Sequence, residues 1–218
     1  MRLFLVRHGE TDWNKEGRFQ GQRDTRLSQK GLEQAFKTAF YLAEHKFNGI
    51  VSSPLSRALD TAMEICSAGA RNGNAAGAVE IIEEFTEINH GDWEGLLSTE
   101  VGERWGGLLE QWHAAPHEVR MPGGGESLED VLARSLAGIE KLALKYYGDV
   151  AIASHDAVIK VMLCHFLGMP LKNFWRLKIA NCSISIVELN EENETRVSLM
   201  GDAHHLGGGF ELPEQKAL

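Results

Sequence analysis

The sequence predicts an α/β fold, a three-layer α/β/α sandwich with a mainly parallel central sheet, in a single domain over residues 1–218. Apolar runs typical of buried strands alternate with stretches of helical periodicity, which is the pattern of strand–helix–strand units. The 218 residues include 43% hydrophobic ones, enough to fill one core of this size. Because no internal repeat or long linker interrupts the alternation, one domain is expected.

Six runs predict the strands of the sheet. The first is Leu-Phe-Leu-Val at 3–6, which is apolar throughout and ends directly at Arg7. A continuous apolar run of this length is typical of a strand that is buried on both faces. The other predicted strands lie at 49–53, 79–82, 150–153, 184–188 and 196–199.

The sequence predicts four helices, over about 28–43, 55–66, 127–143 and 157–167. Apolar residues at helical spacing predict the first and third, the second follows Pro54, and Gly168 and Pro170 end the fourth. Ser28 is a suitable N-cap for the first, and Ser-Leu-Glu-Asp at 127–130 is a capping box for the third. The Gly/Ala/Asn-rich stretch at 68–78 predicts a surface loop. The tryptophan-rich segment at about 87–126 predicts a partly helical, lid-like insertion over one end of the domain.

The charge is acidic overall but basic at the start of the chain. Lys and Arg number 22 against 31 Asp and Glu, a net charge of −9, which argues against nucleic-acid and anionic-membrane partners. Residues 1–30 hold seven basic and four acidic side chains and are therefore locally positive.

Location is predicted from the absence of targeting patterns and from the cysteines. No apolar run approaches the roughly 20 residues that span a bilayer, and the run before Arg7 is too short for a signal peptide. Cys66, Cys164 and Cys182 are odd in number and have no metal-like spacing, which indicates buried free thiols. We therefore expect a cytoplasmic protein.

Basic and protonatable side chains follow three of the predicted strands. Arg7 and His8 follow the first strand, Arg57 lies just beyond the second, and His155 follows the strand at 150–153. Ligands of such sheets bind beyond the carboxyl ends of the strands, so these side chains are expected to converge. Guanidinium groups bind phosphoryl oxygens, and a neutral imidazole can attack phosphorus. This predicts a phosphate site that uses neither metal nor cofactor, because arginines can neutralise the charge.

Five ordered blocks of the sequence resemble the motifs of the histidine phosphatase superfamily. They are RHGET at 7–11 with its continuation to Gly31, SSPLSRA at 52–58, EINHGDWEG at 87–95, GGES at 124–127, and SH at 154–155. The blocks keep the family's order over most of the chain. They are therefore much more specific evidence than a lone RHG tripeptide would be. The resemblance implies the phosphoglycerate-mutase-like form of the predicted fold.

The resemblance also implies catalytic roles. His8 would be the nucleophile that forms a phosphohistidine, and Arg7, Arg57 and His155 would surround the phosphoryl group. Glu87 would protonate the leaving oxygen and then activate water for the second half-reaction.

Further positions are implied to bind the substrate. Asn14 would add a hydrogen bond, and Gln20 and Gly21 would contact the substrate. His90 and the C-terminal His205 could contact the part of the substrate that carries no phosphate.

Asp156 departs from the family's pattern, which often has glycine directly after the second histidine. In the acid-phosphatase branch an aspartate at this place is the proton donor, so Asp156 competes with Glu87 for that role. The residues that flank Glu87 fit the small-phosphatase branch and favour Glu87. Asp156 could instead be a helix N-cap without any catalytic role.

Hydrolysis is favoured over transfer to a second hydroxyl. Phosphoglycerate mutases carry two adjacent arginines after the acid, whereas Arg104 and Arg120 are the widely separated arginines of 94–122. The chain looks most like metal-independent phosphoserine phosphatases and α-ribazole phosphatases. We therefore expect hydrolysis of a small phosphorylated metabolite, with phosphoserine and α-ribazole phosphate as the first candidates. A phosphoglycerate mutase and a non-catalytic phospho-ligand binding protein are the alternatives, and relatives suggest a possible homodimer.

Overall fold

Six strands form one mixed sheet in the computed structural model, which describes residues 1–74, 76–190 and 195–207. The strands are β1 (Arg2–Arg7), β2 (Gly49–Ser52), β3 (Glu80–Ile81), β4 (Asp149–Ser154), β5 (Ile184–Leu189) and β6 (Thr195–Asp202). Their order is β3-β2-β4-β1-β5-β6. The first four of these pair in parallel, and β5 and β6 are antiparallel additions at one edge. The predicted mainly parallel sheet is confirmed.

Six α-helices accompany the sheet in the described part of the chain: α1 (Asp12–Glu16), α2 (Gln29–Leu42), α3 (Ser56–Arg71), α4 (Ser98–Ala114), α5 (Leu128–Lys145) and α6 (Asp156–Phe166). Ser28 caps α2 by accepting a hydrogen bond from the Gly31 amide, as its position in the sequence predicts. Ser127 and Asp130 form the predicted capping box of α5.

The sheet buries both of its faces, as the apolar sequence of β1 predicts. Leu3 and Leu5 point to the core shared with α5 and α6, whereas Phe4 and Val6 point to the core shared with α2 and α3. Side chains of a strand alternate between its two faces, so a strand that is apolar throughout needs a helical layer on each side. The three-layer arrangement is confirmed.

The structure corrects three local predictions. Helix α3 continues to Arg71 instead of ending at Cys66, because Ala68 and Gly69 still pack into the core, so the predicted surface loop begins later. Helix α1 was not predicted, although Thr11 and Asn14 cap it reciprocally. Cys164 and Cys182 are buried free thiols, but Cys66 is only half-buried.

The segment at 87–126 is partly helical, as predicted. It contains a 3-10 turn at Gly91–Trp93, helix α4 with a kink at Trp105 (φ −132°, ψ 36°), and a second 3-10 turn at Pro116–Glu118. Trp93 and Trp112 are fully buried, so these rings contribute apolar core. No helix among the described residues is long and apolar enough to cross a membrane.

Candidate active site

The carboxyl ends of β1 and β4 bring the two predicted site histidines together. The strands are parallel neighbours with Arg7 opposite Ser154, so the next residues, His8 and His155, leave the sheet at the same edge. Their ring centroids are 5.1 Å apart. Arg57 comes from the first turn of α3, which follows β2 on the other side of β4. The convergence expected from the sequence is present.

His8 is held in one tautomer by its own loop. Its Nδ1–H donates to the carbonyl oxygen of Gly9 at 2.7 Å. Because that carbonyl can only accept, the lone pair of the neutral ring lies on Nε2. Burial, assisted by Arg57 and Arg7, lowers the pKa of His8 well below its ordinary value of 6.5. At neutral pH the ring is therefore uncharged, and its Nε2 is chemically able to act as a nucleophile.

Two buried arginines flank this histidine. Arg7 Nη1 donates to Asp156 Oδ1 at 3.0 Å and to the Ile179 carbonyl at 2.6 Å. Arg57 donates to the carbonyls of Gly21 at 2.8 Å and Arg23 at 2.9 Å. The buried Nε atoms of both arginines have no hydrogen-bond partner among the described residues. Burial lowers the pKa of Arg57 to about 10, so it remains a cation at neutral pH.

His155 completes this group of donors. Its Nε2 lies 2.7 Å from Ser53 Oγ, while its buried Nδ1 has no partner in the described part of the chain. Burial first, and then the charge of Arg57, lowers the pKa of His155 well below 6.5. Buried polar atoms without partners are rare in folded proteins. Two cationic side chains and a histidine, each with a nitrogen that has no partner, therefore suit an anionic ligand with several oxygens.

Glu87 is a buried carboxyl whose proton is retained near neutral pH. Glu87 is only 4% exposed, and its Oε1 accepts a hydrogen bond from the Ile88 amide at 2.9 Å. Burial raises the pKa of Glu87 to about 7, and the nearby Asp156 charge adds to the rise while Arg57 opposes it. A carboxyl with this pKa can donate and accept protons at neutral pH.

Asp156 is the counter-ion of two buried cations. Its Oδ1 accepts from Arg7, and its Oδ2 lies 2.7 Å from Lys160 Nζ one turn later in α6. Lys160 is fully buried and lies 4.9 Å from the ring centroids of both Phe174 and Trp175. The helix N-cap is His155, and Asp156 is already helical, so the prediction that Asp156 caps this helix is wrong. The pairing of this carboxylate depends on tertiary contacts with β1.

Asn14, Gln20 and Gly21, which the family resemblance implies to bind the substrate, make hydrogen bonds to the loop after β1 and to Arg57. Asn14 Oδ1 accepts from the Thr11 amide at 3.1 Å, and Gln20 Oε1 accepts from the hydroxyls of Thr11 and Thr25 at 2.8 and 2.6 Å. Gly21 has a left-handed φ of +52°, and a Cβ there would overlap the Glu94 carboxylate. Its carbonyl is thereby kept on Arg57.

The two histidines predicted to contact the rest of the substrate lie in different surroundings. His90 is fully buried, with its ring centroid 5.2 Å from Phe19 and 6.4 Å from Trp112, and burial lowers its pKa to about 3. Neither of its ring nitrogens has a partner within the described ranges.

His205 lies against α2. Its Nε2–H donates to the Cys182 carbonyl at 3.1 Å and is 2.9 Å from Thr38 Oγ1, and its ring stacks on Tyr41. Cys182 in turn donates its amide to the Arg7 carbonyl at 2.9 Å. These contacts link His205 to the loop that carries His8 through Cys182, and within the described residues none is with a predicted catalytic side chain.

Sequence reasoning missed residues that act through others. Asn181 Nδ2 donates to the His8 carbonyl at 3.0 Å, and Ser53 contacts His155. Ser53 lies inside the SSPLSRA block, but its partner His155 is 102 residues away along the chain. Across the described ranges, no group of three or more His, Cys, Asp or Glu side chains could hold a metal ion.

Comparisons with known proteins show the family to which this chain is similar. The model of the histidine phosphatase superfamily (branch 1) matches residues 3–202. Phosphoserine phosphatase 1 of Hydrogenobacter thermophilus is 35% identical over 221 residues, covering all of both chains. Adenosylcobalamin/alpha-ribazole phosphatase of Escherichia coli is 29% identical, over 89% of this chain and 93% of that protein.

A solved structure extends the similarity to three dimensions. The structure of a mycobacterial glucosyl-3-phosphoglycerate phosphatase with VO3 superposes with a TM-score of 0.82 at 31% identity. The alignment covers 93% of this chain and 99% of that one. The similarity of fold to that phosphatase therefore extends over 93% of the chain and is not limited to the motif loops.

Proposed function

This chain belongs to the histidine phosphatase superfamily and is a phosphatase, and we propose that it hydrolyses small phosphomonoesters through a covalent phosphohistidine at His8. One observation carries the proposal. The neutral, buried His8 has its Nδ1–H bound to the Gly9 carbonyl and lies beside unpartnered nitrogen atoms of Arg7, Arg57 and His155. That arrangement supports a nucleophile placed against a phosphoryl group.

In the first half-reaction, the lone pair of His8 Nε2 attacks phosphorus while the ester P–O bond breaks. Glu87 gives its proton to the leaving oxygen, so the alcohol departs neutral and Glu87 is left as a carboxylate. Arg7, Arg57 and His155 stabilise the charge on the transferred phosphoryl oxygens.

In the second half-reaction, the Glu87 carboxylate takes a proton from a water molecule that attacks the phosphohistidine. The P–N bond breaks, inorganic phosphate leaves, and His8 and Glu87 return to their starting protonation states. The pKa of Glu87, raised to about 7, supports both uses of this carboxyl in one cycle.

We propose phosphoserine as the first substrate to test, because the relative named phosphoserine phosphatase 1 matches over its whole length. α-Ribazole phosphate is the second candidate, on the similarity to the E. coli enzyme. Contacts of His90 and His205 with the phosphate-free end of the substrate stay part of the proposal, as do a cytoplasmic location and a homodimer.

The test is to trap the intermediate. Enzyme is mixed with ³²P-labelled phosphoserine, denatured at alkaline pH to preserve phosphohistidine, and digested for peptide mapping. We expect label on the peptide that contains His8, and no label and no turnover in His8→Ala. Turnover without label on His8 would contradict the covalent mechanism.

The same assay separates the alternatives. A mutase would move label from a phosphoglycerate to a second hydroxyl faster than to water. A binding protein would retain phosphoserine without releasing phosphate. Activity that disappears on treatment with a chelator would contradict the proposed cofactor-free chemistry, in which Arg7 and Arg57 supply the charge.

A further inference from the structure

Arg134 of α5 binds the main chain on which Glu87 is carried. Its Nη1 donates to the carbonyl oxygens of Glu84 at 2.8 Å and Thr86 at 2.5 Å, and its Nη2 donates to the Glu87 carbonyl at 3.1 Å. The planar guanidinium has several donors in a fixed arrangement, so one side chain can hold three carbonyls at once. The backbone on the amino-terminal side of Glu87 is thereby tied to α5.

Glu126 holds the other side of the same stretch. It accepts from Arg134 Nε at 2.7 Å and from Arg134 Nη2 at 3.0 Å. Its Oε2 also accepts from the Asn89 amide at 2.8 Å, and the Glu126 amide donates to the Asn89 carbonyl at 3.0 Å. Glu126 belongs to the GGES block, to which the catalytic steps above give no role.

The stretch that carries Glu87 has little regular structure to hold it. It lies between 3-10 turns at Glu83–Phe85 and Gly91–Trp93. Buried carbonyls in such a stretch need partners outside the local backbone. Apart from Arg134, the Glu87 carbonyl accepts from Gln22 Nε2 at 3.1 Å. Helix α5, with its capping box, is a rigid support for this attachment.

We infer that the Arg134–Glu126 pair is a positioning device for Glu87 and sets the place of the proton that is given to the leaving group. This inference rests on the proposed function, in which Glu87 is the general acid. Neither side chain touches the reacting atoms. Loss of the pair should therefore impair leaving-group protonation while the attack of His8 on phosphorus is retained.

Leaving-group dependence measures that step. A nitrophenolate leaves without protonation, whereas the alkoxide of phosphoserine needs a proton, and kcat/KM reports the steps up to P–O cleavage. We would measure kcat/KM for p-nitrophenyl phosphate and phosphoserine in the wild type and in Glu87→Gln, Arg134→Met, Arg134→Lys and Glu126→Gln. Arg120→Met is the matched control, because Arg120 also binds a carboxylate (Asp130) and a carbonyl (Gly125) but none around Glu87.

We expect Glu87→Gln to lower kcat/KM by about 100-fold or more for phosphoserine and by far less for the aryl ester. Arg134→Met should lower kcat/KM for phosphoserine selectively, by about tenfold or more, and Arg134→Lys and Glu126→Gln should have a smaller effect of the same kind. Arg120→Met should lower kcat/KM for both substrates equally or for neither. Melting curves identify any variant that fails to fold, and Glu126→Gln, which keeps the size of the side chain, then decides.

Each outcome counts for or against a specific claim. Suppose that folded Arg134 and Glu126 variants lose activity equally toward both substrates, or toward neither, while Glu87→Gln loses it selectively toward phosphoserine. The positioning inference is then wrong and the proposed function stands. If Glu87→Gln itself is not selective, the assignment of Glu87 as the acid is wrong.

Discussion

The proposed nucleophile, His8, and the proposed acid, Glu87, owe their protonation states to burial. Desolvation disfavours the charged form, so it lowers the pKa of His8 and raises the pKa of Glu87 to about 7. On the surface a Glu carboxyl would be ionised at neutral pH, and a His ring with an ordinary pKa of about 6.5 would be partly protonated. A neutral ring with its lone pair on Nε2 and a carboxyl that still holds its proton are thus available together near neutral pH.

The Glu87 carboxyl should give the enzyme a pH-dependent activity. Because the acid must be protonated to act as donor, kcat/KM for phosphoserine should fall by about tenfold per pH unit above about pH 7. Glu87→Gln should be slow and should lack this fall. Comparing both enzymes on one substrate cancels the substrate's own ionisation near about pH 6.

Stability provides the control for that experiment. The folded pKa of Glu87 is above its ordinary value of 4.5, so the folded state holds this proton more tightly, and stability declines as pH rises from 4.5 to about 7. The melting temperature of Glu87→Gln relative to wild type should therefore rise over this window. A fall in activity above pH 7 that persists in Glu87→Gln would mean that another group is the acid.

Asp156 is predicted to act through stability and the placement of Arg7. Asp156→Asn leaves Arg7 and the fully buried Lys160 without their counter-ion, which should cost about 3–5 kcal/mol of unfolding free energy. Activity should fall for aryl and alkyl esters alike. Adding Lys160→Met should recover part of the stability, because it removes one of the two buried cations that Asp156→Asn leaves without a counter-ion.

The measurement is urea unfolding together with kcat/KM for the two ester types. Lys145→Met is the control, since Lys145 also lies 2.7 Å from a carboxylate but is exposed. A stable Asp156→Asn that loses alkyl esters alone would identify Asp156 as the proton donor instead of Glu87.

At the scale of elements, the loops after the strands carry the site, and glycines allow them to approach one another. Gly91 has a φ of +56°, and a Cβ there would overlap the carbonyl oxygen of Pro122. This contact joins the stretch after Glu87 to the start of the GGES region, where the Asp92 amide also donates to the Pro122 carbonyl at 3.1 Å. The two stretches therefore close against each other through their backbones.

Gly91→Ala should destabilise the protein more than Gly124→Ala. Both glycines have a left-handed φ, which costs an alanine about 1–2 kcal/mol, but a Cβ at Gly124 would meet nothing within 4 Å. The additional overlap at Gly91 should lower the unfolding free energy by roughly 1–3 kcal/mol more, as overpacking does. Urea unfolding of both variants measures the difference, and equal losses would mean that the loop moves freely.

Helix α3 and helix α6 illustrate what local sequence does and does not predict about an element. The sequence predicts the existence of both helices, but the end of α3 at Arg71 depends on small residues that pack against the core. Similarly, the start of α6 at Asp156 matches the sequence to within one residue, whereas the function of Asp156 depends on β1. The lid-like role of the segment at 87–126 stays a prediction.

At the scale of the whole molecule, charge is separated between the surface and the site. The chain carries a net charge of −9, yet Arg7 and Arg57 are 4% and 1% exposed at the edge of the sheet. Buried cations interact with a bound anion in a low local dielectric, where the attraction is much stronger than at the surface. A locally positive site inside an acidic protein therefore supports phosphate binding without a basic exterior.

The sequence by itself determined the alternation of strands and helices, the strand ends that carry Arg7, His8 and His155, and the motif blocks of the family. These depend on local periodicity and on residue order, which are visible along the chain. Only the tertiary structure decided that Asp156 pairs with Arg7 and Lys160, that Arg134 and Glu126 hold the stretch around Glu87, and that His205 contacts Cys182. Burial and pairing depend on partners 149 residues away in the case of Arg7 and Asp156, and no local pattern encodes such a distance.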